Sequence, residues 1–364
     1  MTHLAESIGR VLIYRLGSLG DTVVALPALK LVASAFPTAQ RWLLTNFNSS
    51  TKAAPMAAVL EGTGLVHGYI RYPLGLRDVG GLISLRREIR RFRPDVLVYL
   101  AAPRGRLKAW RDALFFRACG ITRLIGVPYS MHQQRPAMLS KGGYEYEGIR
   151  LVRCLRPALG ETRLDAPEAF DLSLSDLERR VATTALGSLA DGRPLLMASV
   201  GAKVDVKDWE DRNWAALVGR LGGQLRGWGL CMVGSRDDRD RSSALLAHWP
   251  GASVNLCGSL SVRESAAVLD HAQVYVGHDS GPMHLAAAVG TPCVAIFSSR
   301  NLPGEWFPHG HHHRVHYKPV ECLGCKLDVC LEKQKMCIRS ISVHEVEESV
   351  LQIVNASALA PEPN

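Results

Sequence analysis

The chain has 364 residues, 47% hydrophobic and 21% charged, with 33 Gly and 19 Pro, an ordinary globular composition too long for a single comfortable core. At ~150 residues per domain the length implies about two domains. Its 43 Lys and Arg exceed its 34 Asp and Glu by nine.

That excess is local. From Arg71 to Arg135 there are 14 basic and 4 acidic residues, so the remainder is close to neutral. A basic zone of this kind suits an anionic partner such as phosphate, carboxylate, nucleic acid or an acidic membrane face. The alternative is that Arg86-Arg87-Glu88-Ile89-Arg90-Arg91 is one solvated helix face. No apolar run reaches the ~18 residues of a spanning helix; Met283 to Phe297 is interrupted by His, Thr, Pro and Gly. The beginning, Met1 to Arg10, leads into only Val11-Leu12-Ile13-Tyr14 before Arg15, too short for a signal-peptide core. A cytoplasmic protein is expected.

In chain order, the first half offers short strands at Arg10–Leu16, Arg41–Thr45, Tyr69–Tyr72, Asp95–Leu100 and Leu124–Val127. Helical spacing separates them, as at Ala25–Ala35 and Leu82–Phe92. The second half repeats the pattern with strands at Leu195–Ser199, Leu230–Val233, Ser253–Leu256, Val274–Gly277 and Cys293–Phe297. Short, nearly continuous apolar runs alternating with helices predict parallel strands covered on both faces. The fold class is therefore α/β, with two Rossmann-like doubly wound domains. The break falls in Ser173–Pro194, where Ser175 caps a polar helix and Gly187, Asp191, Gly192 and Pro194 interrupt it. This gives domains at 1–175 and 176–350 and a tail at 351–364, of which Ala358–Asn364 is expected to fray.

In open parallel sheets ligands bind beyond the carboxyl ends of strands, where helix N-termini attract anions. Three strand-to-helix turns carry suitable residues. The first is Arg15-Leu16-Gly17-Ser18-Leu19-Gly20-Asp21-Thr22. Its Gly17 and Gly20 permit close backbone approach but do not make a dinucleotide fingerprint, and Asp21 by spacing alone reads as a helix cap. The second is Ser199-Val200-Gly201-Ala202, followed by Lys203, Lys207 and Trp209. A lysine there either faces a phosphate or is an ordinary surface residue. The third is His278-Asp279-Ser280-Gly281-Pro282-Met283-His284, with Pro suited to the first helical position. Free N–H groups at Ser280 and Gly281 with the helix dipole behind them would seat a diphosphate.

Cysteine supplies a separate signal. Cys119, Cys154, Cys231, Cys257 and Cys293 sit in apolar surroundings and read as core packing. Cys322, Cys325, Cys330 and Cys337 form C-x2-C-x4-C-x6-C, a candidate structural zinc or iron site, with buried or reversibly oxidised thiols as the alternative. His309, His311, His312, His313 and His316 read as a polar loop, since consecutive histidines rarely converge on one ion.

Taken together, Arg15-Leu16-Gly17-Ser18-Leu19-Gly20-Asp21 with Pro27, then Lys207-Asp208-Trp209, then Asp279-Ser280-Gly281-Pro282-Met283-His284-Leu285-Ala286-Ala287-Ala288 resemble glycosyltransferase family nine, the ADP-heptose:lipopolysaccharide heptosyltransferases. The likeness runs from about residue 10 to 350 and takes in the late cysteine cluster and the Ile341–Val350 helix. It implies the glycosyltransferase-B arrangement, with the acceptor on the N-terminal domain, the nucleotide sugar on the C-terminal domain and a cleft between. It also implies an inverting, metal-independent single displacement, in which an acceptor hydroxyl attacks the anomeric carbon as the nucleoside diphosphate leaves.

On that resemblance Asp21 is the expected catalytic base. Ser199, Lys207, Asp237, Asp279, Ser280, Gly281, Pro282 and His284 are the expected donor-binding residues, with Lys207 and the amides of Ser280 and Gly281 on the leaving diphosphate and Asp279 on sugar hydroxyls. Gly17, Ser18, Gly20, Arg104, Arg106 and Lys108 are expected on the acceptor side, an anionic lipid-linked or other glycan that would bring the protein to the inner face of the bacterial inner membrane. Catalysis needs no cofactor on this reading. One departure stands out: where ADP-heptose enzymes often place a glutamate for the ribose, this chain has Gly234-Ser235-Arg236-Asp237, which leaves the nucleotide open. The rivals are the same fold with another nucleotide sugar or a protein or natural-product acceptor, and a non-catalytic nucleotide-sugar or nucleic-acid binding module. Nucleic acid is disfavoured because the basic residues lack interleaved stacking aromatics.

Overall fold

The computed structural model describes residues 8–47, 54–73, 78–140 and 142–359. The parts of the sequence readings that fall on residues 1–7, at the start of the Met1–Arg10 stretch, and on 360–364, at the end of the tail expected to fray, lie outside them. Two compact units divide the chain, with the change at Ser173–Leu174.

The first unit alternates strand and helix: β1 (Arg10–Tyr14), α1 (Leu19–Val24), α2 (Leu26–Ala35), β2 (Gln40–Thr45), α3 (Ala57–Leu60), β3 (Gly68–Arg71), α4 (Val79–Phe92), β4 (Val96–Tyr99), α5 (Arg106–Ala118), β5 (Arg123–Ile125), α6 (Met131–Gln134) and α7 (Glu147–Leu159). Its strands form one parallel sheet in the order β3-β2-β1-β4-β5, with Tyr14 beside Tyr99. Leu12, Leu44, Leu97 and Tyr99 on one sheet face pack against Leu85, Ile89 and Phe92 of α4 and Ala109, Ala113 and Phe116 of α5. Connectivity turns back between β1 and β4, so the loops after these two strands flank the switch point at which parallel sheets bind ligands.

The second unit contains α8 (Asp176–Leu186), β6 (Leu195–Ser199), α9 (Asp211–Gln224), β7 (Gly229–Met232), α10 (Arg239–Leu246), β8 (Ser253–Asn255), α11 (Val262–Leu269), β9 (Val274–His278), α12 (Gly281–Ala288), β10 (Cys293–Phe297), β11 (Arg314–Tyr317), α13 (Met336–Arg339) and α14 (Val343–Leu359). All its strands are parallel, in the order β11-β10-β9-β6-β7-β8. Here the switch point lies between β6 and β9, where Ser199 pairs with Gly277. The wholly buried Trp209 and Trp214 join Leu196, Val274, Val276, Ile338, Ile341, Val346 and Val350 in its core.

Sequence pattern and structure differ in places. The first strand stops at Tyr14 rather than Leu16, because Arg15 turns its guanidinium inward to the Leu100 carbonyl and Leu16 and Gly17 enter the turn. The histidine-rich stretch is not wholly a loop: His316 lies on β11, an edge strand whose Arg-Val-His-Tyr sequence lacks a continuous apolar run. His313 is tied down too, its Nδ1 accepting from the Cys293 amide while its Nε2 faces the His309 carbonyl. The last helix continues to Leu359, past the Ile341–Val350 pattern.

Candidate active site

In the first unit, the chain leaves β1 through Arg15 and enters α1 at Ser18. Asp21, in the first turn of α1, folds its carboxylate back onto the helix start, where Oδ2 accepts from the Ser18 amide at 2.9 Å and the Ser18 hydroxyl at 3.3 Å. The capping expectation is therefore realised in the geometry. A Cβ at Gly17 would collide with the Asp21 side chain, so the turn accepts only glycine there. Asn46 fastens the same glycine by accepting from its amide at 2.8 Å and donating to its carbonyl at 3.0 Å.

Behind Asp21 stands a buried ionic layer that sequence reading did not single out. Arg15 is fully buried, donating to the Leu100 carbonyl at 2.6 Å and the Asp21 carbonyl at 3.0 Å. Its guanidinium lies 3.8 Å from Asp21 Oδ1 and 3.6 Å from Glu147, while Glu147 receives two hydrogen bonds from Arg150 at 2.6 and 2.8 Å. Two buried arginines face one buried glutamate, and Asp21, 28% exposed at its side chain, supplies the second negative charge. Buried charge is tolerated only when paired, so the layer fixes the Asp21 carboxylate while one side of it remains open to solvent.

The expected acceptor residues divide. Gly17, Ser18 and Gly20 share the Asp21 turn. Arg104, beyond β4 at the same sheet end, donates to Asp112 at 2.6 Å and to the Tyr14 hydroxyl at 2.9 Å, so the network beneath α5 holds it. Arg106 donates to the Tyr129 carbonyl at 3.0 Å, and Lys108 is exposed on α5.

In the second unit, the turns after β6 and β9 meet. Lys207 Nζ lies 2.6 Å from Asp279 Oδ2 and 3.2 Å from the Asp279 carbonyl, which brings the lysine to the N-terminus of α12. Asn301 donates to the same carboxylate at 3.3 Å. Ser280 is the N-cap and Pro282 stands in the first turn, so the first α12 amides have no intrahelical acceptor. Ser199 ends β6 one strand away, and His284 is buried on α12 with its ring edge-on to Trp306. Asp237 is exposed in the turn after β7, where its neighbour Asp238 accepts from the Ser235 amide and hydroxyl.

His278 was present in the motif but had no role assigned from sequence. It is fully buried, and its Nε2 accepts from the Trp209 amide at 3.0 Å and Trp214 Nε1 at 3.3 Å. The proton therefore sits on Nδ1, toward the Gly201 carbonyl. Burial pushes this imidazole down to about 4, so it stays neutral near pH 7. Arg241 completes the frame by bonding both Asp208 oxygens at 2.8 and 3.0 Å and the Val200 carbonyl at 2.9 Å. Burial would raise the Asp208 carboxyl, but hydrogen bonds from Arg241 and the Glu210 amide outweigh it and hold the group low. The Lys207 loop is thus clamped on either side of the lysine.

Cys322, Cys325, Cys330 and Cys337 line one small cavity with Ser298, Lys333 and others, all four thiols free and half-buried. Among the described residues no group of three or more His, Cys, Asp or Glu converges to hold a metal ion. The candidate structural zinc or iron site thus has no formed ligand set among the described residues. The five remaining cysteines are buried.

The model of glycosyltransferase family 9 (heptosyltransferase) matches residues 104–336. The chain is 26% identical over 344 residues to lipopolysaccharide heptosyltransferase 1 of Pseudomonas aeruginosa, covering 88% of this chain and 87% of that protein. Its 29% identity to lipopolysaccharide heptosyltransferase 3 of Escherichia coli is confined to 112 residues, 30% of this chain and 32% of that protein. The fold is that of the E. coli heptosyltransferase WaaC solved with ADP-2-deoxy-2-fluoro heptose, with a TM-score of 0.61 at 16% identity over 94% of this chain and 99% of that one. With the family model matching more than half of its length, the chain belongs to glycosyltransferase family 9, the heptosyltransferase family.

Proposed function

We propose that the protein transfers a heptose, or a closely related sugar, from a nucleoside-diphosphate donor, ADP-heptose first among them, to an anionic glycan acceptor of the lipopolysaccharide-core type. The observation that carries this reading is the convergence of Lys207 on the amide end of α12. A cation and uncommitted N–H groups at one point are the preorganised charge that a departing diphosphate requires.

In the proposed step the acceptor hydroxyl oxygen forms a bond to the anomeric carbon as the bond from that carbon to the diphosphate oxygen breaks. Asp21 takes the hydroxyl proton, and the configuration inverts. Lys207 and the amides of Ser280 and Gly281 hold the negative charge on the leaving group, so a divalent ion is not needed. Asp279, once Lys207 engages the diphosphate, turns to sugar hydroxyls; Ser199, Pro282 and His284 shape the seat. Gly17, Ser18 and Gly20, with Arg104, Arg106 and Lys108 following the neighbouring strand β4, belong to the acceptor side.

The nucleotide base has a second candidate set, because the turn after β7 presents Asp237 where the resemblance expects a glutamate. One experiment addresses both points: thermal midpoints with ADP, UDP, GDP and dTDP, each with and without EDTA. Selective stabilisation by ADP that survives EDTA is the expected result. A preference for another nucleotide discards the ADP-heptose donor while keeping the seat, loss of the shift in EDTA overturns the metal-free seat, and no shift with any nucleotide overturns the transferase reading.

A further inference from the structure

We propose that the outward face of α5 is a docking surface for an anionic lipid bilayer. The inference names the partner surface for the lipid-linked acceptor proposed above and rests on that reading only for its biological purpose. The inner face of α5 is accounted for by Ala109, Ala113 and Phe116, which pack on the sheet of the first unit. Its outer face should then be polar, but it is not. Leu107 is 87% exposed, Trp110 51% and Leu114 63%, and the i, i+3, i+7 spacing puts all three in one stripe along the helix. Exposed leucines taken singly need no explanation; a continuous stripe does.

Charge on either side of the stripe identifies the occupant. At about 100° per residue, Arg106 and Arg117 fall along one edge and Lys108 and Arg111 along the other. The helix has a single acid, Asp112, which is buried and bonded to Arg104 and Arg111. The neighbouring α4 is joined to the end of α5 by a hydrogen bond from Arg86 Nε to the Ala118 carbonyl at 2.9 Å. It adds exposed Arg87, Arg90 and Arg91 against one exposed acid, Glu88.

An apolar stripe with a tryptophan between two rows of cations is the pattern of a helix that lies in the headgroup layer, apolar side chains inserted and cations on lipid phosphates. A protein partner would not require cations on both edges. Trp110 is held for this task by its ring contact with Tyr129 at 4.5 Å between centroids. No helix among the described residues is long and apolar enough to cross a membrane.

The test is co-sedimentation of the full chain with phosphatidylglycerol/phosphatidylethanolamine vesicles and with phosphatidylcholine vesicles. Binding to the first set, weak or absent binding to the second, and release by salt are expected. The Leu107→Ser/Trp110→Ser/Leu114→Ser variant should lose at least about tenfold in vesicle affinity, while Leu177→Ser, an equally exposed leucine of the second unit, should lose none. Because the three side chains lie on the outer face, the triple variant should stay folded, its thermal midpoint lowered only by the lost Trp110–Tyr129 contact, and keep its transfer rate on a delipidated, soluble acceptor. That arm separates failure of docking from failure of the transferase reading. Absence of binding to anionic vesicles overturns the proposal, as does a triple variant that binds like the wild type. Sedimentation velocity showing a dimer abolished by the same substitutions would assign the face to a second copy of the chain and also overturn it.

Discussion

The turn after β1 and the turn after β9 are built from the same parts, glycines, an N-cap serine and an aspartate opening a helix, yet they do opposite things. In the first, the aspartate is inside the helix and bends back to occupy the donors at its own N-terminus. The turn therefore presents an anion, held by the amide and hydroxyl of its own N-cap. In the second, the aspartate precedes the cap and pairs with a lysine from another turn, so the helix amides remain uncommitted. A shift of the acid by a few positions relative to the cap decides whether the acid folds back onto its own helix start or leaves that start open.

The largest effect expected from this contrast is at Asp21. Its replacement by Ala should lower transfer about 10³-fold, within the range for loss of a general base, while nucleotide binding to the second unit is unchanged. Single-turnover rates and nucleotide affinity measured on the same preparation decide it. An active Asp21→Ala protein breaks the assignment of the first turn.

Next is His278, which supports the second turn from beneath. Removing its ring leaves the Trp209 amide and Trp214 Nε1 without an acceptor inside a wholly buried site. His278→Ala should cost about 3 kcal/mol in chemical denaturation. The sign of its pH dependence follows from a folded value of about 4, below the ordinary 6.5. Native protein binds fewer protons than unfolded chain in that interval, so this contribution is fully present above pH ~6.5 and is lost as pH falls toward ~4. A His278→Gln variant should show a flatter decline over the same interval, with the remaining slope owed in part to His313, which burial also pushes down to about 4.

How much of this was legible beforehand depends on whether the signal was local. The buried strands declared themselves through runs such as Leu195–Ser199 and Cys293–Phe297, which the structure reproduces end to end. The edge strand Arg314–Tyr317 did not, since an edge strand need not be apolar on both faces. Lys207 and Asp279 were each chosen from their own motif, but their contact spans 72 positions and no periodicity predicts it. Glu147 gave no local sign that it would face Arg15: it opens a helix in a stretch to which the sequence pattern assigned no element. The hint available for Arg15 was a lone cation directly after four buried apolar residues, where a side chain must either leave the core or be paired within it.

Lys207 comes third in size. Lys207→Ala removes the cationic half of a largely buried ion pair and leaves Asp279 facing the diphosphate, so both lost attraction and new repulsion act on the leaving group. A fall of about 10²-fold in kcat/KM is expected, with a weaker nucleotide-induced rise in thermal midpoint. Lys207→Arg should recover part of the loss, since charge is kept while the geometry of contact with Asp279 changes. If nucleotide stabilisation survives Lys207→Ala undiminished, the seat is elsewhere and the second half of the comparison fails.

The smallest effect is expected at Ser18, and it is the most discriminating because it touches one turn alone. Ser18→Ala deletes the hydroxyl that reaches Asp21 Oδ2 at 3.3 Å but keeps the amide at 2.9 Å, so the carboxylate loses one of its two cap donors. The N-cap loss should cost about 1 kcal/mol, and a carboxylate freed to sample other rotamers should lower kcat by about fivefold, a fraction of the loss at Asp21 itself. Donor KM and the nucleotide-induced shift in midpoint should match wild type, since no donor residue is altered. A Ser18→Ala protein with normal kcat would mean that Arg15 and the remaining amide suffice to aim Asp21, and the cap would then be a folding device that happens to contain the base. A change in donor KM would instead show that the two turns are coupled, which neither unit's internal bonding provides for.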